Sequence, residues 1–195
     1  MNAFEFHCPT KIICGEGSLH KLPVKIADRG VTKPLIVTDA NLVKLGIAEQ
    51  VFAPLREADV NYSLYDHVPP DSSLNVVNEV ATLYKEEKCD GWIALGGGSV
   101  IDTAKGAAAS VSVGEKDFTD LQGSEILQDE LDPLIAIPTT AGTGSEVTLV
   151  AVVADTENHA KLSYTSYRLV PHIAFLDPKL TASLPPRLTA TTGID

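Results

Sequence analysis

Residues 91–113 admit few folds. Gly91–Leu95 is a short apolar run, three glycines follow at Gly96, Gly97 and Gly98, and an alanine-rich helical pattern runs from Ser99 to Val113. A strand that passes through a bare turn straight into a helix is one half of a strand–helix–strand unit, and such units build parallel sheets. Each glycine adds conformational entropy to the unfolded chain, and three in succession exceed what a turn requires. They are explained if an anion must approach the backbone. The helix start then offers unpaired N–H groups and a positive dipole end, which suits phosphate. A second Gly/Thr-rich run, Pro138–Thr148, follows a second apolar run, Leu134–Ile137. Two such turns in one small domain point to a nucleotide or dinucleotide with its phosphates held between them.

The rest of the chain has the same alternation. Strands are expected at Lys11–Cys14, Pro34–Thr38, Tyr62–Tyr65, Gly91–Leu95, Leu134–Ile137 and His172–Leu176. Helices are expected at Ser18–Asp28, with Ser18 as cap, at Asn41–Ala58, interrupted at Gly46 and Pro54, at Ser73–Glu87, capped by Ser72 or Ser73, and at Ser99–Val113. Val147–Ala154 and Ala160–Tyr164 read as a hairpin around Glu157-Asn158. This spacing predicts an α/β domain with a doubly wound, mainly parallel, Rossmann-like sheet, whose ligand lies beyond the carboxyl ends of the strands at a switch point. Val68–Asp71 and Gly114–Asp132 are expected to be long surface connections.

Composition narrows the partners. The net charge of −11 argues against nucleic acid, which needs clustered Lys and Arg, and against anionic membrane surfaces. No apolar run reaches the ~20 residues that span a bilayer, and Met1–Cys8 lacks the basic segment and apolar core of a signal peptide. A cytoplasmic protein is expected. The three cysteines, Cys8, Cys14 and Cys89, are too few for a disulfide framework and are read as buried, reduced thiols. None of the five histidines has the i, i+4 spacing of a helical metal pair.

Individual residues carry two readings. Gly96, Gly97, Gly98 and Ser99 form either a tight turn or a phosphate cradle. Asp102, one turn into its helix, suits the dipole. Thr139, Thr140, Thr143 and Thr148, with Ser145 between them, are either β-formers and turn hydroxyls or a hydrogen-bonding rim around Gly142 and Gly144. Lys161 is a hairpin lysine that would ordinarily be solvated. Asp39, just after its strand, can cap the Asn41 helix or accept from ribose hydroxyls and repel a 2′-phosphate. Ser145 and Glu146 have no histidine nearby in sequence, so a hydrolase triad is unsupported. A Gly-x-Gly-x-x-Gly fingerprint is absent.

Together, Gly96-Gly97-Gly98-Ser99 with Asp102 and Lys105, Pro138–Thr148, Asp177-Pro178, Leu184-Pro185-Pro186 and Thr192-Gly193-Ile194-Asp195 resemble the iron-containing (group III) alcohol dehydrogenases, with lactaldehyde reductases and propanediol dehydrogenases among their number. The resemblance spans essentially the whole chain. It implies a dehydroquinate-synthase-like cofactor domain over residues 1–183 and the start of a helical metal-binding domain at 184–195. It also implies that the full-length enzyme passes hydride between a primary alcohol or diol and NAD, with Fe²⁺ or another divalent metal. Asp102 then lies on the cofactor side of the turn, Lys161 near the nicotinamide ribose, and Asp39 selects NAD over NADP. The threonine rim serves diphosphate, ribose and nicotinamide. Asp195 matches one metal ligand, and the family's three histidine ligands come from a second half.

The chain is therefore expected to be a truncated cofactor domain that binds NAD, lacks catalytic residues of its own and is inactive alone. Leu184, Leu188 and Ile194 are expected at an uncovered face that favours a homo-oligomer. Its small-molecule partner would be an alcohol or aldehyde. A standalone nucleotide-binding or interaction module without chemistry is the alternative. The related dehydroquinate-synthase and glycerol-dehydrogenase enzymes differ in the second glycine run.

Overall fold

The structure, a computed structural model, describes residues 3, 5, 7–114, 123–124, 127 and 129–194. Six strands form one wholly parallel sheet: β1 (Lys11–Cys14), β2 (Pro34–Val37), β3 (Ser63–Tyr65), β4 (Gly91–Gly96), β6 (Leu134–Pro138) and β9 (Ile173–Leu176), in the order β1-β9-β6-β4-β2-β3. β5 (Gly123–Ser124), β8 (Ala160–Thr165) and β7 (Val150–Asp155) make a smaller sheet, in which β7 and β8 are the expected antiparallel hairpin.

Successive strand residues face opposite sides of the main sheet, and each side has its own core. Leu35, Val37, Trp92, Ala94, Leu134 and Ala136 pack on one side with α4 (Leu74–Glu86), α5 (Gly98–Ser112) and the β7–β8 hairpin. Ile36, Ile93, Leu95, Ile135, Ile137, Ile173 and Phe175 pack on the other with α1 (Leu22–Ala27) and α3 (Glu49–Glu57). The strands are buried on both faces, so they read as continuous apolar runs with no alternation.

β2 and β4 are neighbours, yet the chain leaves β2 toward β3 on one flank and leaves β4 through α5 toward β6 on the other. The expected switch point lies between them, with Asp39 following β2 and the three glycines closing β4.

Some local expectations are corrected. Ser18 caps nothing: it lies inside a 3-10 turn, Ser18–Lys21, that precedes α1, and Gly17 occupies the cap position in a left-handed conformation. Pro54 does not interrupt its helix. The break falls at Gly46 alone, between α2 (Ala40–Lys44) and α3, while Pro54 sits within α3. α5 begins at Gly98, one residue before Ser99, with Gly97 as its cap. Ser73 is the cap residue of α4 but makes no side-chain cap bond. The hairpin's first strand begins at Val150, since Val147 is still in a turn and donates to Gly144 O.

None of the cysteines is fully buried, contrary to expectation: Cys14 is exposed at the end of β1, an edge strand open on one flank, Cys8 is half-buried ahead of that strand, and Cys89 is half-buried in the connection from α4 to β4. The Gly114–Asp132 connection falls largely on residues outside those described. Within it, Leu127 and Leu131 are buried against the α4–α5 core, so it is not a bare surface loop.

No described helix is long and apolar enough to cross a membrane. α6 (Pro186–Thr192) buries none of its residues, Leu184 is half-exposed, and Leu188 and Ile194 are exposed.

Candidate dinucleotide site

The parallel sheet brings its carboxyl ends to one edge, and the two glycine-rich turns meet there. Thr139 N–H donates to Gly96 O at 3.0 Å, which ties the second turn to the first. The fit leaves little spare room. A Cβ on Gly97 would stand 3.2 Å from Thr140 Oγ1, and one on Gly98 would stand 3.3 Å from Thr143 Cγ2. Gly96 has a different reason to be glycine, since a Cβ there would meet Val100 Cγ2 at 2.5 Å in the core.

Two clefts flank this junction. The larger, about 720 Å³, is lined by Asp39, Gly97, Thr139 and Thr140 and by apolar side chains including Leu42, Leu180, Leu184 and Leu188. The smaller, about 400 Å³, is lined by Gly98, Ser99, Asp102, Thr143, Ser145, Thr148 and Lys161. Both turns are thus divided at matching points. Gly97 and Thr139–Thr140 face one cleft, and Gly98–Ser99, Thr143 and Ser145 face the other.

The predicted residues come together in these two places, except Gly96, which lies behind the turn, and Asp195, which lies outside the described residues. Asp39 does cap α2, accepting from Asn41 N at 2.9 Å and Leu42 N at 3.1 Å, and it also lines the larger cleft. Lys161 is exposed and pairs with Asp71 at 3.6 Å at the smaller cleft.

Several groups there await a partner. The first bonds of α5 run from Val100 N and Ile101 N to Gly97 O, so the amides of Gly98 and Ser99 stand at the open helix end with no partner among the described residues. Thr140 Oγ1 is buried, also without a hydrogen-bond partner among the described residues. Buried polar atoms are rarely left so. Bare amides at a helix start and an orphaned hydroxyl suit the acceptor oxygens of a diphosphate. Asp102 Oδ2 accepts from Val152 N at 3.1 Å. Burial pushes the Asp102 carboxyl up, against Lys105, the Val152 amide and the Ser145 hydroxyl, which favour its charge.

Three residues contribute here to which the sequence analysis gives no place in the site. Asp71 and Ser72 line the smaller cleft from the loop after β3. Ser72 is locked in place by Thr103 Oγ1, at 2.5 Å, and by Ala154 N, which donates to Ser72 O at 2.8 Å. Loops at the carboxyl end of a parallel sheet converge on the ligand, so the segment after β3 was findable by position. Lys105 is the third, a wholly buried lysine behind the smaller cleft.

Among the described residues no group of three or more His, Cys, Asp or Glu side chains could hold a metal ion.

Comparison with known proteins agrees with this geometry. The family model for iron-containing alcohol dehydrogenase matches residues 9–178. A choline dehydrogenase of Bacillus subtilis (strain 168) is 41% identical over 192 residues, covering 97% of this chain and 48% of its own length. The solved structure of a 1,3-propanediol oxidoreductase superposes with a TM-score of 0.94 at 33% identity, over 100% of this chain and 50% of that one. A sulfoacetaldehyde reductase from Bifidobacterium kashiwanohense, solved in complex with NAD⁺, gives a TM-score of 0.88 at 29% identity, over 100% of this chain and 51% of that one. The chain spans about half the length of the curated relatives it matches.

Proposed function

The chain belongs to the iron-containing alcohol dehydrogenase family, and from that membership we propose that it is the NAD-binding half of an enzyme that passes hydride between a primary alcohol or diol and nicotinamide. The observation that carries this reading is the matched division of both glycine-rich turns between two clefts. A dinucleotide has two nucleoside ends joined by a diphosphate, and it fills such a site with the diphosphate on the turns.

The ends can be assigned by chemistry. The larger cleft offers leucines to a flat adenine and the Asp39 carboxylate to its ribose. The smaller is rich in hydroxyls and carboxylates, with Lys161 at hand, and suits the nicotinamide ribose and carboxamide. The amides of Gly98 and Ser99, with Thr140 Oγ1, bind the diphosphate. Asp39 faces the ribose and disfavours a 2′-phosphate, which makes NAD the cofactor ahead of NADP. A divalent metal, where the whole enzyme holds one, would supply Lewis-acid polarisation of the substrate oxygen. The part derived from this chain is the binding and orientation of NAD.

Gly97→Val tests the reading. Its branched side chain would press on Thr140, whose Oγ1 and Cγ2 lie 3.2 and 3.3 Å from a Cβ at this position. Calorimetry should show NAD binding to wild type and none to the variant. Equal affinities would place the cofactor elsewhere.

A further inference from the structure

β7 lies at the outer edge of its sheet: among the described strands it pairs only with β8, and its other edge meets the chain in a single parallel bridge, Ala154 with Ser73. Alternate residues of a strand turn their N–H and C=O groups to opposite edges. On β7 the outward groups belong to Val150, Val152 and Ala154, and other parts of the molecule satisfy them. Lys105 Nζ donates to Val150 O at 2.9 Å and to Thr148 O at 2.8 Å. Asp102, one turn earlier on α5, accepts from Val152 N. Ser72 O accepts from Ala154 N. Two side chains of one helix thus stand where a neighbouring strand would.

Lys105 is fully buried, and burial lowers its ammonium to about 8, against the opposing charges of Asp102 and Glu146. A buried cation is costly unless paired and hydrogen-bonded. An apolar residue at 105 would leave the carbonyls of Thr148 and Val150 without this donor. Those two residues, with Val152, are also a wall of the smaller cleft.

We propose that Lys105 is a positioning residue: by standing in for a missing strand along β7, it fixes the wall of the smaller cleft against which the nicotinamide end of the dinucleotide lies. The ligand half of this inference rests on the NAD reading above. Its reach is directed to one cleft, since Thr148 and Val150, the residues that Lys105 bonds, line the smaller cleft and not the larger.

The test compares wild type with Lys105→Met, which keeps the stem and removes the ammonium, in the full 195-residue chain. NADH should bind about tenfold more weakly, the equivalent of one lost well-placed contact. ADP, which occupies only the adenine and diphosphate positions, should bind within about twofold of wild type, an offset small beside a one-contact loss. Hydrogen exchange at the amides of residues 150–154 should quicken, while that of Ile93 and Ala94 in β4 stays unchanged.

Unchanged NADH affinity, or equal losses for NADH and ADP, would overturn the proposal. If wild type binds no NADH, the cofactor reading fails by itself, and exchange at Val152 still decides whether Lys105 holds the edge. Should Lys105→Met not fold, Lys105→Arg keeps the charged donors but enlarges the head against residues 148–150. It should weaken NADH severalfold and spare ADP, and equal effects on both would again overturn the assignment.

Discussion

At Gly142 a single hydrogen atom separates the second glycine-rich turn from the backbone of α6. Its φ of +130° is one that L side chains rarely adopt, and a Cβ there would lie 1.5 Å from Thr192 O. Nothing at this spot can yield except α6 itself. Gly142→Ala should therefore lift α6 off the turn, so that tryptic cleavage after Arg187 quickens and ADP binding weakens as the larger cleft opens. Unaltered cleavage would mean that α6 does not rely on this approach. Asp39 allows its two duties to be separated. Asp39→Ser keeps a capping oxygen for Asn41 and Leu42 but removes the charge that the proposed NAD pose sets against the adenine ribose. NADP binding should improve by about 1–3 kcal/mol, with stability nearly unchanged. An unaltered NADP-to-NAD affinity ratio would reduce Asp39 to a helix cap.

The strands divide labour between their ends. The carboxyl edge carries the clefts, and the amino edge is closed by side chains that serve stability. Asp90 joins the starts of β2 and β4, accepting from Thr32 N at 2.8 Å and from Lys33 N at 2.8 Å. His172 joins the starts of β6 and β9. Its Nδ1 accepts from Leu134 N at 3.1 Å, and the backbone N–H of His172 donates to Leu134 O at 2.8 Å. An Nδ1 that accepts must be unprotonated, and burial, with Arg29 adding to it, holds this imidazole below its ordinary value. Its folded pKa is depressed, so the unfolded chain takes up the proton first. Stability should fall as pH drops through about 6.5. His172→Ala should flatten that limb of a pH-dependent melting series and cost about 1–3 kcal/mol at neutral pH for the unpaired Leu134 amide. A limb of equal slope in the variant would assign the effect to other groups.

On the scale of the whole molecule, the sheet and its hairpin were legible in the residues, as was the meeting of the two glycine-rich turns at one edge of the sheet. The reason is physical: strands buried on both faces leave apolar runs, and a helix that starts on glycines after such a run has few places to go. What stayed hidden depends on distance in space. Ser18 resembles a cap in sequence, yet Gly17 takes the turn's left-handed conformation. Pro54 resembles a break, yet α3 accommodates it. Lys105 was visible in its motif, but no local pattern tells a buried lysine from a solvated one; its partners lie more than forty residues away. Asp71 and Ser72 gain their importance only when β3 is placed beside β2.

The central claim is that one dinucleotide spans both clefts with its diphosphate on the glycine turns. Amide-resolved NMR titration of the chain tests it most directly. NAD should perturb the amides of Thr139 and Thr140 in the larger cleft and those of Ser99, Thr148 and Lys161 in the smaller, with one saturating stoichiometry. ADP should perturb the first set and the turn while leaving Thr148 and Lys161 in place. If NAD perturbs one cleft only, or neither, the account is contradicted.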